Sequence, residues 1–221
     1  MSRKAGGEPP LAAFSLECRA CPRLAKHLAQ VRAVRPDFHA RPVAPFGDPA
    51  PRVMIVGLAP GMHGANRTGR PFTGDHAGIL LYETLHRYGY ASQAQAVDVG
   101  DGLELKGCRI TNAVKCLPPE NKPQPDEIRR CNAYLGRELE RLPQSAAILA
   151  LGTIAHQAVL MAYGLKRSAY PFSHGAQHAL HGGRMLFDSY HCSRYNTQTR
   201  RLTGRMFRDV FESISMHLNQ R

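Results

Sequence analysis

Gly57-Leu58-Ala59-Pro60-Gly61-Met62-His63-Gly64-Ala65-Asn66-Arg67-Thr68-Gly69-Arg70-Pro71-Phe72-Thr73-Gly74-Asp75 decides how this chain is read. The apolar run Val53-Met54-Ile55-Val56 before it reads as a buried strand, and His76 to Leu85 after it has helical apolar spacing. Five glycines and two prolines give the loop between them more backbone freedom than a plain connection needs. Main-chain amides of such a loop can approach a ligand closely at the carboxyl end of a strand, where open α/β sheets place their sites. One aromatic residue, two arginines and one carboxylate are embedded in it. The plain alternative is an ordinary surface loop.

Working outward, three more short β-like runs recur at Cys108 to Val114, Ala146 to Gly152 and Met185 to Tyr190, matching the first at Arg52 to Leu58. Helix-like segments separate them: Pro22 to Val31, Gly78 to Tyr88, Asp126 to Leu142 behind Pro125, and Thr153 to Met161 with Thr153 as N-cap. This alternation predicts an α/β fold with a mostly parallel sheet and helices on both faces. Ala91 to Lys106, holding Asp98 and Asp101, reads as a loop or short hairpin. No repeat or low-complexity linker divides the chain, so residues 12–221 are expected to form one domain behind a loose tail over residues 1–11.

The 221 residues are 43% hydrophobic, enough for one full core. No apolar stretch is long enough to span a membrane and no secretory signal opens the chain, so a cytoplasmic, nucleoid-associated, prokaryotic-type protein is expected. Lys and Arg outnumber Asp and Glu by 29 to 17. A genome-wide arginine bias would produce that excess, but not its clustering. Arg19 to Arg41 holds six basic residues and one acid, and His191 to Arg205 holds four arginines and none. Such clusters make a nucleic-acid backbone the natural partner, through phosphate neutralisation. A membrane surface would need an apolar helical face beside them, and none stands out.

Six cysteines in a reducing compartment read as ligands or core residues. Cys18-Arg19-Ala20-Cys21 is a C-x2-C pair, and Cys116 and Cys131 bracket a proline-rich loop. Four converging thiolates suit zinc or a [4Fe–4S] cluster, and spacing does not choose between them. Buried free cysteines are the alternative, and Cys108, on an apolar strand, reads as core. Asn112, at the carboxyl end of its strand, offers the donor and acceptor needed to read the amide edge of a base, although such asparagines are commonly turn residues. His191, at the end of the last strand and followed by polar, basic and aromatic residues, suits transition-state stabilisation beside a DNA-contacting loop. The other histidines, such as His174, His178 and His181, read as surface or loop residues.

Three motifs at strand ends, interleaved with four cysteines, resemble the uracil-DNA glycosylase superfamily, and within it family 5, the iron–sulfur, broad-spectrum glycosylases. GLAPGMHGANRTGRPFTGD at 57–75 is similar to the family's opening motif. TNAVKCLPPENKPQP at 111–125 resembles the shared segment of the iron–sulfur families, and HCSRYNTQTRRLT at 191–203 the closing one. The resemblance implies a three-layer αβα sandwich around a four-stranded, mostly parallel sheet. It also implies a structural [4Fe–4S] cluster on Cys18, Cys21, Cys116 and Cys131. Family 4 enzymes carry an acid at the second motif position, where this chain has Leu58; the carboxylate duty is then met elsewhere, with Asp75 the candidate, or dispensed with. Two departures stand out: Cys192 replaces a usual proline, and Arg200 a usual glycine.

The activity implied by the resemblance is that of a hydrolase that flips uracil, hypoxanthine and xanthine from double-stranded DNA and cleaves the N-glycosidic bond. The alternatives are a non-catalytic iron–sulfur damage sensor and a zinc-bound esterase-like hydrolase, though the latter's G-x-S-x-G elbow is missing. Asp75, His191 and Asn112 are the expected catalytic residues. Gly57, Leu58, Ala59, Gly61 and Phe72 would join Asn112 and His191 around the base. Arg67, Arg70, Arg194, Tyr195, Asn196, Arg200 and Arg201 would contact DNA, with Tyr195 and Leu202 as candidate wedges. The protein is expected to act as a monomer, and no sequence feature identifies a docking partner such as a sliding clamp.

Overall fold

In the computed structural model, which describes residues 14–220, each expected core strand pairs with a neighbour; the tail expected over residues 1–11 lies outside the described residues. In chain order the elements are α1 (Pro22–Val34), β1 (Phe46–Gly47), β2 (Val53–Gly57), α2 (Ala65–Thr68), α3 (His76–Arg87), β3 (Cys108–Asn112), α4 (Pro125–Glu140), β4 (Ala147–Leu151), α5 (Thr153–Ala162), β5 (Gln177–Ala179), β6 (Met185–Ser189), α6 (Arg194–Gln198) and α7 (Gly204–Asn219). The sheet order is β1-β3-β2-β4-β6-β5. The inner four strands are parallel, and β1 and β5 add antiparallel edges. The sheet is therefore six-stranded rather than four-stranded. Edge strands of two and three residues are too short to leave a periodicity in the sequence.

Strands β2 and β4 are buried along their whole length, as continuous apolar runs covered on both faces must be. Alternate residues feed two cores. Val53, Ile55, Ile110, Leu149 and Phe187 meet Leu81 and Leu85 of α3 and Phe207, Phe211 and Ile214 of α7. Met54, Val56, Ile148, Ala150 and Leu186 meet Leu135 and Leu139 of α4 and Val159 and Leu160 of α5. The result is the expected three-layer sandwich.

The register sets Gly57 beside Asn112 at the carboxyl ends of β2 and β3, which brings the glycine-rich loop and the second motif together. Helix α4 opens with Pro125 and a capping box between Gln124 and Glu127. Helix α5 differs from expectation: Gly152 occupies the N-cap with φ of 93°, and Thr153 is already the first helical residue. The stretch from Ala91 to Lys106 closes on itself through a bridge between Ala91 and Leu105, so the hairpin alternative holds. No described helix is long and apolar enough to cross a membrane.

Candidate active site

The site lies where β2, β3 and β6 end. Its cavity, about 430 Å³, is lined by Leu58, Ala59, Gly61, Phe72, Asp75, Asn112 and His191, with Ala65, His76, Ala77, Asn121, Ser193 and Arg194 completing the wall. Six residues expected around a base thus share one pocket. Gly57 stands behind it. A methyl group there would overlap Asn112 Oδ1 and sit 2.7–2.8 Å from the Phe72 ring edge, so only glycine lets these two side chains meet.

Asn112 is 3% exposed, and its Oδ1 is buried with no hydrogen-bond partner. A buried unpaired carbonyl costs about 1–3 kcal/mol, a penalty that a ligand donor would relieve. Phe72 is held at φ of 54°, in the left-handed region that non-glycine residues rarely adopt. Its conformation is braced from both sides: the Tyr82 hydroxyl donates to the Pro71 carbonyl at 2.8 Å, and Gly78 leaves room for the Phe72 carbonyl.

Asp75 is the N-cap of α3, with Oδ1 accepting from Gly78 N at 3.0 Å. Its other oxygen lies against Gly61 and Gly64, and a side chain at Gly64 would collide with it. Burial pushes the carboxyl above its ordinary value, opposed by the amides of Gly78 and Ala77. One oxygen is thus fixed by the helix and the other is left beside the pocket. Cys192 is completely buried behind His191, and its thiol is pushed well up by desolvation, so it is no nucleophile.

The His191 ring stacks on Phe72, with centroids 5.8 Å apart and planes at 30°. Burial pushes its pKa down to about 4, so at neutral pH it is an uncharged imidazole. Ser193 caps α6, and within that turn Asn196 Nδ2 donates to the His191 carbonyl at 2.8 Å. Asn196 therefore shapes the His191 backbone with one of its amide hydrogens.

The remaining expected DNA contacts divide. Arg194 and Tyr195 are exposed at the start of α6, with Tyr195 at 70%. Arg200 is exposed at φ of 57°, a backbone conformation that suits the glycine usual in the resembled family. Arg201, also exposed, lies over the Tyr190 ring at 4.7 Å. Arg70 is a correction. It is 4% exposed, paired to both oxygens of Asp101 at 2.9 and 2.6 Å, and stacked over Phe46 at 5.0 Å. Its charge is consumed inside the protein, pinning the Phe72 loop to the hairpin. Arg67 is likewise engaged, donating to the His63 carbonyl and facing Asp98 at 3.6 Å. Leu202 is 1% exposed in the core beside α7, so it is no wedge.

Asn121 is a pocket residue that sequence reasoning missed. It and Glu120 adopt left-handed φ of 58° and 54°, and the turn they make carries the loop between Cys116 and Cys131 back to the pocket. The available signal was an asparagine set two residues from a proline on each side, Pro119 and Pro123, which marks a turn but not its place at the pocket.

Cys18, Cys21, Cys116 and Cys131 converge on a second cavity between α1, the end of β3 and α4. Arg23 ties α1 to α4 through two hydrogen bonds to the buried Glu127, at 2.8 and 2.7 Å. Burial, with smaller contributions from the neighbouring sulfurs, pushes the Cys116 thiol far up, and burial raises Cys131 to about 11, as burial also does at the core thiols Cys108 and Cys192. Among the described residues, the one trio of Cys, His or acidic donors lying within 4.8 Å of one another is elsewhere. Four thiols lining one cavity are a donor set that suits either zinc or a [4Fe–4S] cluster. Ala59, like Cys21 and Cys116, packs against the cluster of Leu24, Val114 and Cys131, so the pocket loop and the cysteine site share one small core.

Two comparisons bear on this arrangement. The family model described as "Uracil DNA glycosylase superfamily" matches residues 44–215. A type-5 uracil-DNA glycosylase of Thermus thermophilus is 51% identical over 198 residues, covering 87% of this chain and 90% of that protein. One from Mycobacterium leprae is 42% identical over 219 residues, 96% of each chain. A type-4 uracil-DNA glycosylase of Sulfurisphaera tokodaii is 30% identical over 181 residues, 79% of this chain and 76% of that protein.

Proposed function

The chain belongs to the uracil-DNA glycosylase superfamily, and we propose that it removes uracil, and also hypoxanthine and xanthine, from double-stranded DNA. It acts as a hydrolase of N-glycosyl bonds. The observation that carries the reading is the unpaired Oδ1 of Asn112, buried at the pocket beside Phe72. Each of these deaminated bases presents a ring N–H beside a carbonyl, the donor that this oxygen lacks. Small lining residues such as Ala59, Gly61 and Ala77 leave width for a purine as well as a pyrimidine.

Flipping costs a few kcal/mol and is cheapest at mismatched pairs, which already favours deamination products. The flipped base stacks on Phe72, accepts hydrogen bonds from amides of 57–61, and meets Asn112 at its edge. Cleavage builds positive charge on the sugar and negative charge on the departing base. His191, neutral at pH 7, donates a hydrogen bond to that base; such a donor is worth about 3 kcal/mol of barrier lowering. The oxygen of Asp75 not held by the helix orients water or steadies the sugar cation. Water oxygen bonds to the sugar C1′, the base leaves with the bond's electron pair, and a proton from water completes it.

Arg194, Arg200 and Arg201 contact phosphates, and the exposed Tyr195, next in sequence to the pocket residue Arg194, is the wedge candidate. All these groups belong to one chain, which acts as a monomer. The four cysteines fit a [4Fe–4S] cluster, which when bound supplies a structural cross-link between α1, β3 and α4. The test is incubation with duplexes holding uracil, hypoxanthine or xanthine, followed by alkali to reveal abasic sites. Asn112→Ala should lower the single-turnover rate without changing iron content, whereas Cys116→Ser should lose the brown colour. No cleavage of any substrate overturns the proposal.

A further inference from the structure

Outside the pocket, the structure brings together three side chains that are far apart in sequence. Asp188, near the end of β6, is fully buried. Its Oδ1 lies 2.8 Å from His156 Nδ1 on α5, and its Oδ2 lies 3.2 Å from His178 Nε2 on β5. The donor atoms of all three lie within 4.8 Å of one another. His156 is 2% exposed and the His178 side chain 12%. None of the three lines the base pocket.

The second ring nitrogen of His156 fixes what the first can be. Nε2 faces the Tyr170 carbonyl at 2.9 Å, and a carbonyl can only accept, so Nε2 carries a hydrogen. Nδ1 then sets a lone pair against a carboxylate oxygen at 2.8 Å, a repulsion relieved by a proton on either atom or by a metal ion that both atoms ligate side by side. A histidine whose remote N–H is anchored on a backbone carbonyl, with its other nitrogen turned toward a carboxylate and a second imidazole, has the outer-sphere arrangement found behind metal ligands. Two imidazoles and one carboxylate select a divalent transition ion over magnesium or calcium, whose ligands are oxygens.

We infer that His156, His178 and Asp188 form a structural binding site for one divalent transition ion, zinc being the best match. The ion staples α5 and the edge strand β5 to β6. The benefit reaches further, because the segment before β5 also carries His174, whose Nδ1 accepts from Tyr190 N at 3.2 Å immediately before His191. A two-sided clamp on β5 therefore steadies the strand end that presents the pocket histidine.

The experiment uses the full-length protein with its iron–sulfur absorbance intact, freed of loose metal by chelation and then given zinc chloride alone. About one zinc per chain should survive gel filtration. Its X-ray absorption edge should show nitrogen and oxygen ligands at roughly 2.0–2.2 Å, without the sulfur shell near about 2.3 Å that binding at the cysteines would give. At about 100 times its dissociation constant, zinc should raise Tm by roughly 5–10 °C. His178→Gln, on an edge strand, should abolish retention and the Tm rise while keeping the wild-type near-UV circular dichroism; Asp188→Asn should do the same if it folds. Failure of wild type to retain zinc, a sulfur shell, or undiminished zinc on His178→Gln would each overturn the inference and leave the triad holding a proton.

Discussion

Gly57→Ala is the sharpest probe of the pocket, because the added methyl has a calculable destination. It would lie 2.7–2.8 Å from two atoms of the Phe72 ring, roughly 0.6–0.7 Å inside the 3.4 Å at which ordinary contact begins, and would overlap Asn112 Oδ1. Gly57 is the last residue of β2, bonded in register to Asn112, so the backbone cannot retreat without breaking the sheet end. The side chains must yield. Overpacking of this kind costs about 1–3 kcal/mol of stability, a Tm loss of roughly 2–12 °C for a chain of this size. Catalysis should suffer more than stability, since a displacement near 1 Å at a positioned group costs about 100-fold in rate. The assay is single-turnover release of uracil from a duplex, paired with thermal unfolding. A double-mutant cycle isolates the mechanism: in an Asn112→Ala background the same methyl meets only Phe72, so its effect on rate should shrink by at least several-fold. A Gly57→Ala enzyme that keeps its wild-type rate, or one whose defect is unchanged by removing Asn112, would refute the assignment of Asn112 to the base.

Three further outcomes are expected of the same structure. His191 has a folded pKa of about 4, below the unfolded value near 6.5. The unfolded chain therefore takes up a proton that the folded one refuses, and stability present above pH 6.5 is lost as pH falls toward 4; the slope of Tm against pH in that window should flatten in His191→Gln. Removing Arg70 takes two charge-assisted bonds from the half-buried Asp101, which keeps the amides of Val97, Asp98 and Leu103, so Arg70→Ala should lose about 1–3 kcal/mol in denaturant unfolding, whereas Arg194→Ala should leave stability unchanged and reduce the salt slope of DNA binding by about one. Arg200→Gly relieves a left-handed residue, worth about 1–2 kcal/mol, against about 0.4–1 of added chain entropy; Tm should rise by a few degrees while DNA affinity falls.

Burial explains which parts of the molecule are legible in its sequence. Strands covered on both faces read as continuous apolar runs, as β2 and β4 do, and β3 and β6 open on apolar residues before polar ones at the site, so all four are legible to within about two residues. The glycine-rich loop is legible because Gly57 and Gly64 are required by close approach, and only glycine leaves that signature. Partnership is not legible. Arg70 looks like any other arginine until Asp101 is folded against it from 31 positions away. Leu202 sits in a basic segment yet packs into the core, and His178 reads as a loop residue until β5 turns it toward Asp188. Asn121 is hidden for a different reason, since its place depends on two consecutive left-handed residues that a proline-rich loop does not announce.

The cysteine site and the pocket are one mechanical unit, so a centre held by these cysteines would matter to a hydrolytic reaction. Val114 N donates to the Leu58 carbonyl at 3.0 Å and Ala113 N to that of Gly57 at 2.9 Å, so the strand end carrying Asn112 and the loop facing the base continue each other's pairing past the sheet. Immediately beyond, Lys115 N donates to Cys131 Sγ at 3.3 Å, and Ala59, Cys21 and Cys116 pack against the same cluster of Leu24, Val114 and Cys131. Asn112 therefore stands four residues from Cys116, on a segment with few degrees of freedom of its own. Loosening the thiolate set would let this segment move against the loop, and the contact most sensitive to that movement is the tight meeting of Gly57, Asn112 and Phe72. Loss of the centre should consequently lower the excision rate of molecules that remain folded before it unfolds them.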